Sequence, residues 1–107
     1  MTIYCDIDGT LTDNPRGPWG NPNTENIAAI RSVIAAGHTV IMWSATGEKY
    51  AKEFSKKYDI QAHAMLGKPD VCFDDWLSLR PSDRMKILPP EKMWQWATAN
   101  GVPREAE

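Results

Sequence analysis

Asp6 and Asp8 flank a single isoleucine at the end of Thr2-Ile3-Tyr4-Cys5, a run rich in β-branched and aromatic residues. Side chains alternate along a strand, so the two acids point to the same side of whatever sheet they enter. Two carboxylates about 4 Å apart repel by about 4 kcal/mol at an effective dielectric near 20, a cost that protons or a cation must offset. Further along, Ser44 closes the apolar run Val40–Trp43, Lys68 stands in Gly67-Lys68-Pro69, and Asp74-Asp75 follow Val71-Cys72-Phe73. An oxygen-only donor set suits a hard divalent cation, and Mg²⁺ is the common choice where a phosphate is bound. Lys68 and the Ser44 hydroxyl then supply a cation and a donor for the phosphate that such a metal attracts.

These groups need a frame, and the pattern around them provides one. Thr2–Ile7, His38–Trp43 and Ile60–Leu66 read as strands, Val71–Phe73 as a short fourth, and residues 84–88 as an edge strand before Pro89-Pro90. Asn23 or Thr24 caps a helix in which Ile27, Ile30 and Ile34 recur at helical spacing and which Gly37 ends. Thr46–Tyr58 forms a second helix with Tyr50, Ala51, Phe54 and Tyr58 on its apolar face, and Glu91–Asn100 a third that stops at Gly101. Residues 9–22 hold too many Gly and Pro for a regular element, and a loop of that length in so small a domain is usually functional. Alternating strands and helices predict an α/β fold, a mostly parallel sheet with helices on both faces. In such a sheet the ligand crevice lies beyond the carboxyl ends of the strands, where all the groups above collect.

Composition sets the outer limits. The 107 residues suit one domain, with 101–107 expected as a frayed tail. Apolar residues at 42% and charged residues at 24% fit a globular chain rather than a disordered one. No apolar run approaches the roughly 20 residues of a membrane span, and the first residues carry no export signal, so a cytoplasmic location is expected. Twelve basic against 14 acidic residues give a net charge of −2, which argues against a dedicated duplex-binding surface. Cys5 and Cys72 match no zinc spacing and read as buried free thiols. The lysines of the second helix read as a solvated face, and His38 and His63 as structural.

The stretch Asp6-Ile7-Asp8-Gly9-Thr10-Leu11-Thr12-Asp13 resembles the first motif of the haloacid dehalogenase-like (HAD) superfamily, in its phosphotransfer branch. Ser44 after a hydrophobic strand resembles that family's second motif, Lys68 the third, and Phe73-Asp74-Asp75 the fourth, in family order. The resemblance implies a Rossmann-like HAD domain and a Mg²⁺-dependent phosphatase acting on a phosphate monoester. Asp6 would be the nucleophile that forms an aspartyl-phosphate. Asp8 would act as general acid and then base, its backbone carbonyl also binding the metal. Lys68 would neutralise phosphoryl charge, and Ser44, with backbone N–H groups near Asp8 and Gly9, would hold phosphate oxygens. Asp74 would complete the metal site, with Asp75 on a metal-bound water, although sequence does not order those two. Thr10 would orient Asp8, Gly9 would make the tight turn, and residues 11–22 would form a flap carrying Arg16 and Trp19 near the entrance. Neither the flap nor residues 45–67 can house a cap domain, which implies a capless member whose open site admits large substrates or is covered by a second subunit. The interval from Lys68 to Asp74 is shorter than in most relatives.

Plainer readings stand beside these. Ser44 or Thr46 could simply cap the following helix, Lys68-Pro69 could be a surface turn, and Asp74-Asp75 could open a turn. Three functional rivals accompany the phosphatase: a nucleotide or nucleic-acid-end phosphatase, a metal- or phosphate-binding regulatory module with little chemistry, and a phosphate-accepting signalling domain. The placement of the first motif speaks against the last. Displacement of Lys68, or a flap lying on Asp6, would favour the regulatory module.

Overall fold

A computed structural model describes residues 1–74 and 86–104. The chain alternates β1 (Thr2–Asp6), α1 (Thr24–Ala35), β2 (Thr39–Ser44), α2 (Glu48–Lys57) and β3 (Ala64–Gly67), then enters α3 (Met93–Ala99) through a single 3-10 turn, Pro90–Lys92. The strands form one parallel sheet in the order β1-β2-β3. Asp6 pairs in register with Trp43, and Ser44 with Gly67, so the carboxyl ends of all three strands meet along one rim. The chain is thus an α/β domain built on a three-stranded parallel sheet.

Local chemistry explains most of the boundaries. The Asn23 side chain accepts from the N–H of Asn26 at 3.0 Å and starts α1. Ile27, Ile30 and Val33 then fall on one buried stripe. On α2, Tyr50, Ala51 and Phe54 do the same, while Lys49 and Lys52 pair with Glu53 and Glu48 on the solvent side. Neither Ser44 nor Thr46 caps α2, because Gly47 occupies that position and no side chain bonds there.

Along β2 the residues Val40, Met42 and Ser44 are buried, and Val40 and Met42 join Cys5 and side chains from all three helices in one core. The opposite face carries Tyr4, Ile41, Trp43 and Leu66, with Tyr4 54% and Leu66 41% exposed and the Tyr4 and Trp43 rings edge to face at 4.9 Å. Among the described residues, then, the helices cover one face of the sheet and not both as expected. Topology supplies the reason: two crossovers of the same hand that step in the same direction leave their helices on the same side, and α3 packs against α1.

Other expectations also need correction. Val71–Phe73 joins no ladder, and Val71 and Phe73 are 69% and 97% exposed. Three apolar residues after Pro69 offer too little burial to hold a strand. The third strand begins at Ala64, not Ile60, because Ile60 is buried in the turn after α2, its N–H bonded to the Ser55 carbonyl at 2.8 Å. Lys86–Leu88 is not a strand, and residues 84 and 85 of that expected element lie outside the described residues. Cys5 is buried, but Cys72 is exposed.

The expected frayed tail is tied down as far as Arg104. Gly101, at φ +76°, turns the chain so that the Val102 N–H reaches the Ala97 carbonyl at 2.9 Å and Val102 is buried. Arg104 pairs with Glu25 and lies over the Trp94 ring, while residues 105–107 lie outside the described residues. No helix among the described residues is long and apolar enough to cross a membrane.

Candidate active site

The rim formed by the ends of β1, β2 and β3 gathers Asp6, Asp8, Thr10, Ser44, Thr46, Tyr50 and Lys68. Beyond β1 the chain turns sharply around one carbonyl: Ile7 C=O accepts from the N–H groups of Thr10, Leu11 and Thr12 at 3.1, 2.8 and 3.3 Å. Gly9 makes that turn possible. Its φ is +82°, and a Cβ there would stand 2.8 Å from the Pro15 Cβ. The turn carries Thr10 back to Asp6.

Asp6 meets a cation. The Lys68 ammonium stands 3.1 Å from Asp6 Oδ1, and the Thr10 hydroxyl donates to Asp6 Oδ2 at 3.2 Å. Lys68 is held by its backbone, whose N–H donates to the Ser44 carbonyl at 2.9 Å, and its ammonium lies 5.7 Å from the centre of the Trp43 ring. The short interval to Asp74 therefore does not keep Lys68 away from Asp6. Thr10, expected to orient Asp8, instead holds Asp6: residues four apart across this tight turn come face to face.

Asp8 meets neutral hydroxyls. Tyr50 donates to Asp8 Oδ1 at 2.6 Å and Thr46 to Asp8 Oδ2 at 3.2 Å. Burial, and then the bond to Asp8, push the Tyr50 hydroxyl up to about 12, so it remains a proton donor at neutral pH. Tyr50 was expected only as core. Its ring does pack in the core, but its hydroxyl reaches the rim, and the apolar pattern of α2 carries no signal for that second role. Burial next to Asp6 likewise raises the Cys5 thiol to about 12.

Ser44 is buried, with its Oγ accepting the Thr46 N–H at 3.1 Å. The Gly9 N–H, expected to face a phosphate, donates to Thr12 Oγ1 at 3.3 Å. Asp74 is exposed. No group of three or more His, Cys, Asp or Glu that could hold a metal forms among the described residues, so the structure does not bring Asp74 together with both Asp6 and Asp8. Asp75 lies outside the described residues.

Residues 11–22, expected as a flap, form a loop closed at its base. Thr12 and Pro22 make an antiparallel bridge, Asp13 N–H donates to the Asn21 carbonyl at 3.0 Å, and the Asp13 carboxylate accepts from Asn21 at 2.9 and 3.0 Å. Trp19 sits at its far side, backbone N–H donating to the Tyr50 hydroxyl at 3.2 Å and ring edge-on to Tyr50 at 5.0 Å. Arg16 is exposed. His63 accepts the Val40 N–H at 3.2 Å, and His38 bonds the N-terminal amine at 3.1 Å, both structural as expected. Comparison of the chain with protein-family models, with curated proteins and with solved structures finds no match.

Proposed function

We propose that the chain is a capless HAD-like phosphatase that hydrolyses a phosphate monoester through an aspartyl-phosphate on Asp6. The observation that carries this reading is the pairing of the Asp6 carboxylate with the Lys68 ammonium at 3.1 Å, beside a second carboxylate held by hydroxyls. The ammonium stands beside the attacking carboxylate, where it would meet the charge on a phosphoryl group.

The donors at this rim are oxygens, which suit Mg²⁺, an ion commonly held by one or two carboxylates plus substrate phosphate while keeping several waters. The Asp6 carboxylate and the Asp8 backbone carbonyl would hold the ion, which when bound neutralises charge on the phosphate. In the first step the Asp6 carboxylate attacks phosphorus, the bond to the leaving oxygen breaks, and Asp8 gives that oxygen its proton. In the second step water attacks the phosphorus, Asp8 takes the water's proton, and the bond to Asp6 breaks to release inorganic phosphate. Lys68 stays beside the phosphoryl oxygens through both steps. Thr10 holds Asp6 in line, and the two hydroxyls on Asp8 fix where its remaining lone pairs point.

The regulatory-module reading gains no support from the two features that would favour it. Lys68 reaches Asp6, and the flap docks through Trp19 on Tyr50 rather than over Asp6. On α2, pairing of Lys49 and Lys52 with glutamates removes part of the basic face that a nucleic-acid substrate would use.

The test is phosphate release from a panel of sugar phosphates, nucleotides, phosphopeptides, 3′-phosphorylated oligonucleotides and an aryl phosphate. It compares wild type with Asp6→Asn, with and without Mg²⁺. Release that requires Mg²⁺ and disappears in Asp6→Asn is expected. Absence of release from every class, by a folded protein shown to bind Mg²⁺, would move the assignment to the binding module.

A further inference from the structure

Trp19 has φ +61°, a left-handed conformation that a bulky residue adopts only when its surroundings impose it. Those surroundings are a single side chain and its neighbours. The Trp19 ring packs edge-on to Tyr50 at 5.0 Å and stacks with Phe54 at 6.1 Å, with the Lys57 ammonium 5.2 Å from its centre. Its backbone N–H donates to the Tyr50 hydroxyl at 3.2 Å, and that hydroxyl donates to Asp8 Oδ1 at 2.6 Å.

A phenol has one proton to give. While the Trp19 N–H occupies a lone pair of the Tyr50 oxygen, the proton is committed to Asp8. In turn, a hydroxyl that donates to a carboxylate is polarised and becomes a better acceptor for Trp19. The docked position of the flap and the orientation of the Asp8 carboxylate are thus set by the same oxygen atom.

We infer that Tyr50 is a positioning residue that couples docking of the flap at Trp19 to the orientation of Asp8. This rests on the reading of Asp8 as the group that moves the proton. With the flap docked, Tyr50 and Thr46 each hold one oxygen of Asp8, and the carboxylate is fixed for proton transfer. With the flap lifted, Tyr50 loses one of its two partners, and Asp8 loses part of what orients it. The coupling is reciprocal by necessity: what loosens Asp8 must loosen the flap.

Tyr50→Phe keeps the ring contacts and removes both hydrogen bonds. Limited trypsin digestion reads the flap, because exposed Arg16 lies within it and Lys52 lies inside α2. The ratio of cleavage at Arg16 to cleavage at Lys52 separates local opening from global unfolding. The ratio is expected to rise several-fold in Tyr50→Phe and, to a smaller degree, in Asp8→Ala, which leaves the flap's own contacts intact. On the best substrate, Tyr50→Phe is expected to lower kcat by about tenfold with KM changed by less than about twofold. Equal acceleration at both sites, or an Asp8→Ala ratio at the wild-type value, would overturn the coupling. An equal loss in kcat and gain in KM would overturn the positioning role. If wild type releases no phosphate, the phosphatase reading falls while the cleavage ratios still decide the coupling.

Discussion

Asp6 and Asp8 leave the same strand two residues apart and are served by different parts of the molecule. The Asp6 side is built from the end of β3 and the turn itself: a lysine and a threonine. The Asp8 side is built from the β2–α2 connection and from α2: a threonine and a tyrosine. Among the described residues, one acid pairs with a positive charge and the other accepts from two neutral hydroxyls. A carboxylate against an ammonium has a full counter-charge at hydrogen-bond distance. A carboxylate held by hydroxyls is oriented without a full counter-charge. The difference fits the separate roles proposed for two residues of identical chemistry.

The largest expected effect comes from removing the charge that distinguishes Asp6. Asp6→Asn should abolish phosphate release, a loss of about a thousandfold or more, in a protein that still folds; a colorimetric phosphate assay with a circular-dichroism check of folding reads both. Asp8→Asn preserves the shape and the acceptor for Tyr50 but removes proton transfer, so turnover should fall by about 10²–10⁴-fold.

Lys68→Gln sharpens the contrast from the other side. Its loss should cost about 10²–10³-fold in kcat. The ion pair is partly exposed, 38% and 33% at its two side chains. Pairs of that kind contribute about 1 kcal/mol or less to stability. Urea unfolding of Lys68→Gln should therefore stay near wild type while activity collapses. A large stability loss with intact activity would instead make the pair structural.

The Asp8 side predicts an alkaline limit. Tyr50 and Cys5 both hold their protons more tightly when folded, at about 12 against ordinary values of 10.0 and 9.0. Their contributions are complete below about pH 10 and 9 respectively and are lost as pH rises toward 12, since the unfolded chain then gives up protons that the folded chain keeps. Unfolding midpoints should fall across that window, less steeply in Tyr50→Phe. The smallest effect concerns thiols: near pH 8, iodoacetamide should modify exposed Cys72 and leave buried Cys5 untouched until the protein unfolds.

Much of the Asp6 side was legible in the sequence because its parts are local or end a strand. Asp6 and Gly9 follow one apolar run, and Lys68 follows another. The Asp8 side was not legible to the same degree. Tyr50 falls on the apolar stripe of α2, where period alone assigns it to the core, and nothing in that stripe shows that the ring is long enough to bring its hydroxyl to the rim. Thr10 and Thr46 were assigned to other tasks because turn geometry, not spacing, decides which acid each one meets. The fold followed the same division. The cap and the stripe of α1 are local: Asn23 was one of two residues read as the cap, and Ile27 and Ile30 are buried as expected, with Val33 rather than Ile34 completing the buried stripe. Val71–Phe73 had strand-like residues but no ladder, since pairing depends on a neighbouring edge that sequence does not show.

The central claim is that Asp6 becomes phosphorylated, and the most direct measurement looks for the bond itself. Asp8→Asn, slowed in both proton transfers, would be mixed with the best substrate and Mg²⁺ and quenched in acid. Borohydride, which reduces an acyl phosphate to the alcohol, followed by peptide mass spectrometry, would then locate the modified residue. Homoserine at position 6, absent without substrate, is expected. Phosphate release by wild type with position 6 unmodified in every quenched sample, or modification at another carboxylate, would contradict it.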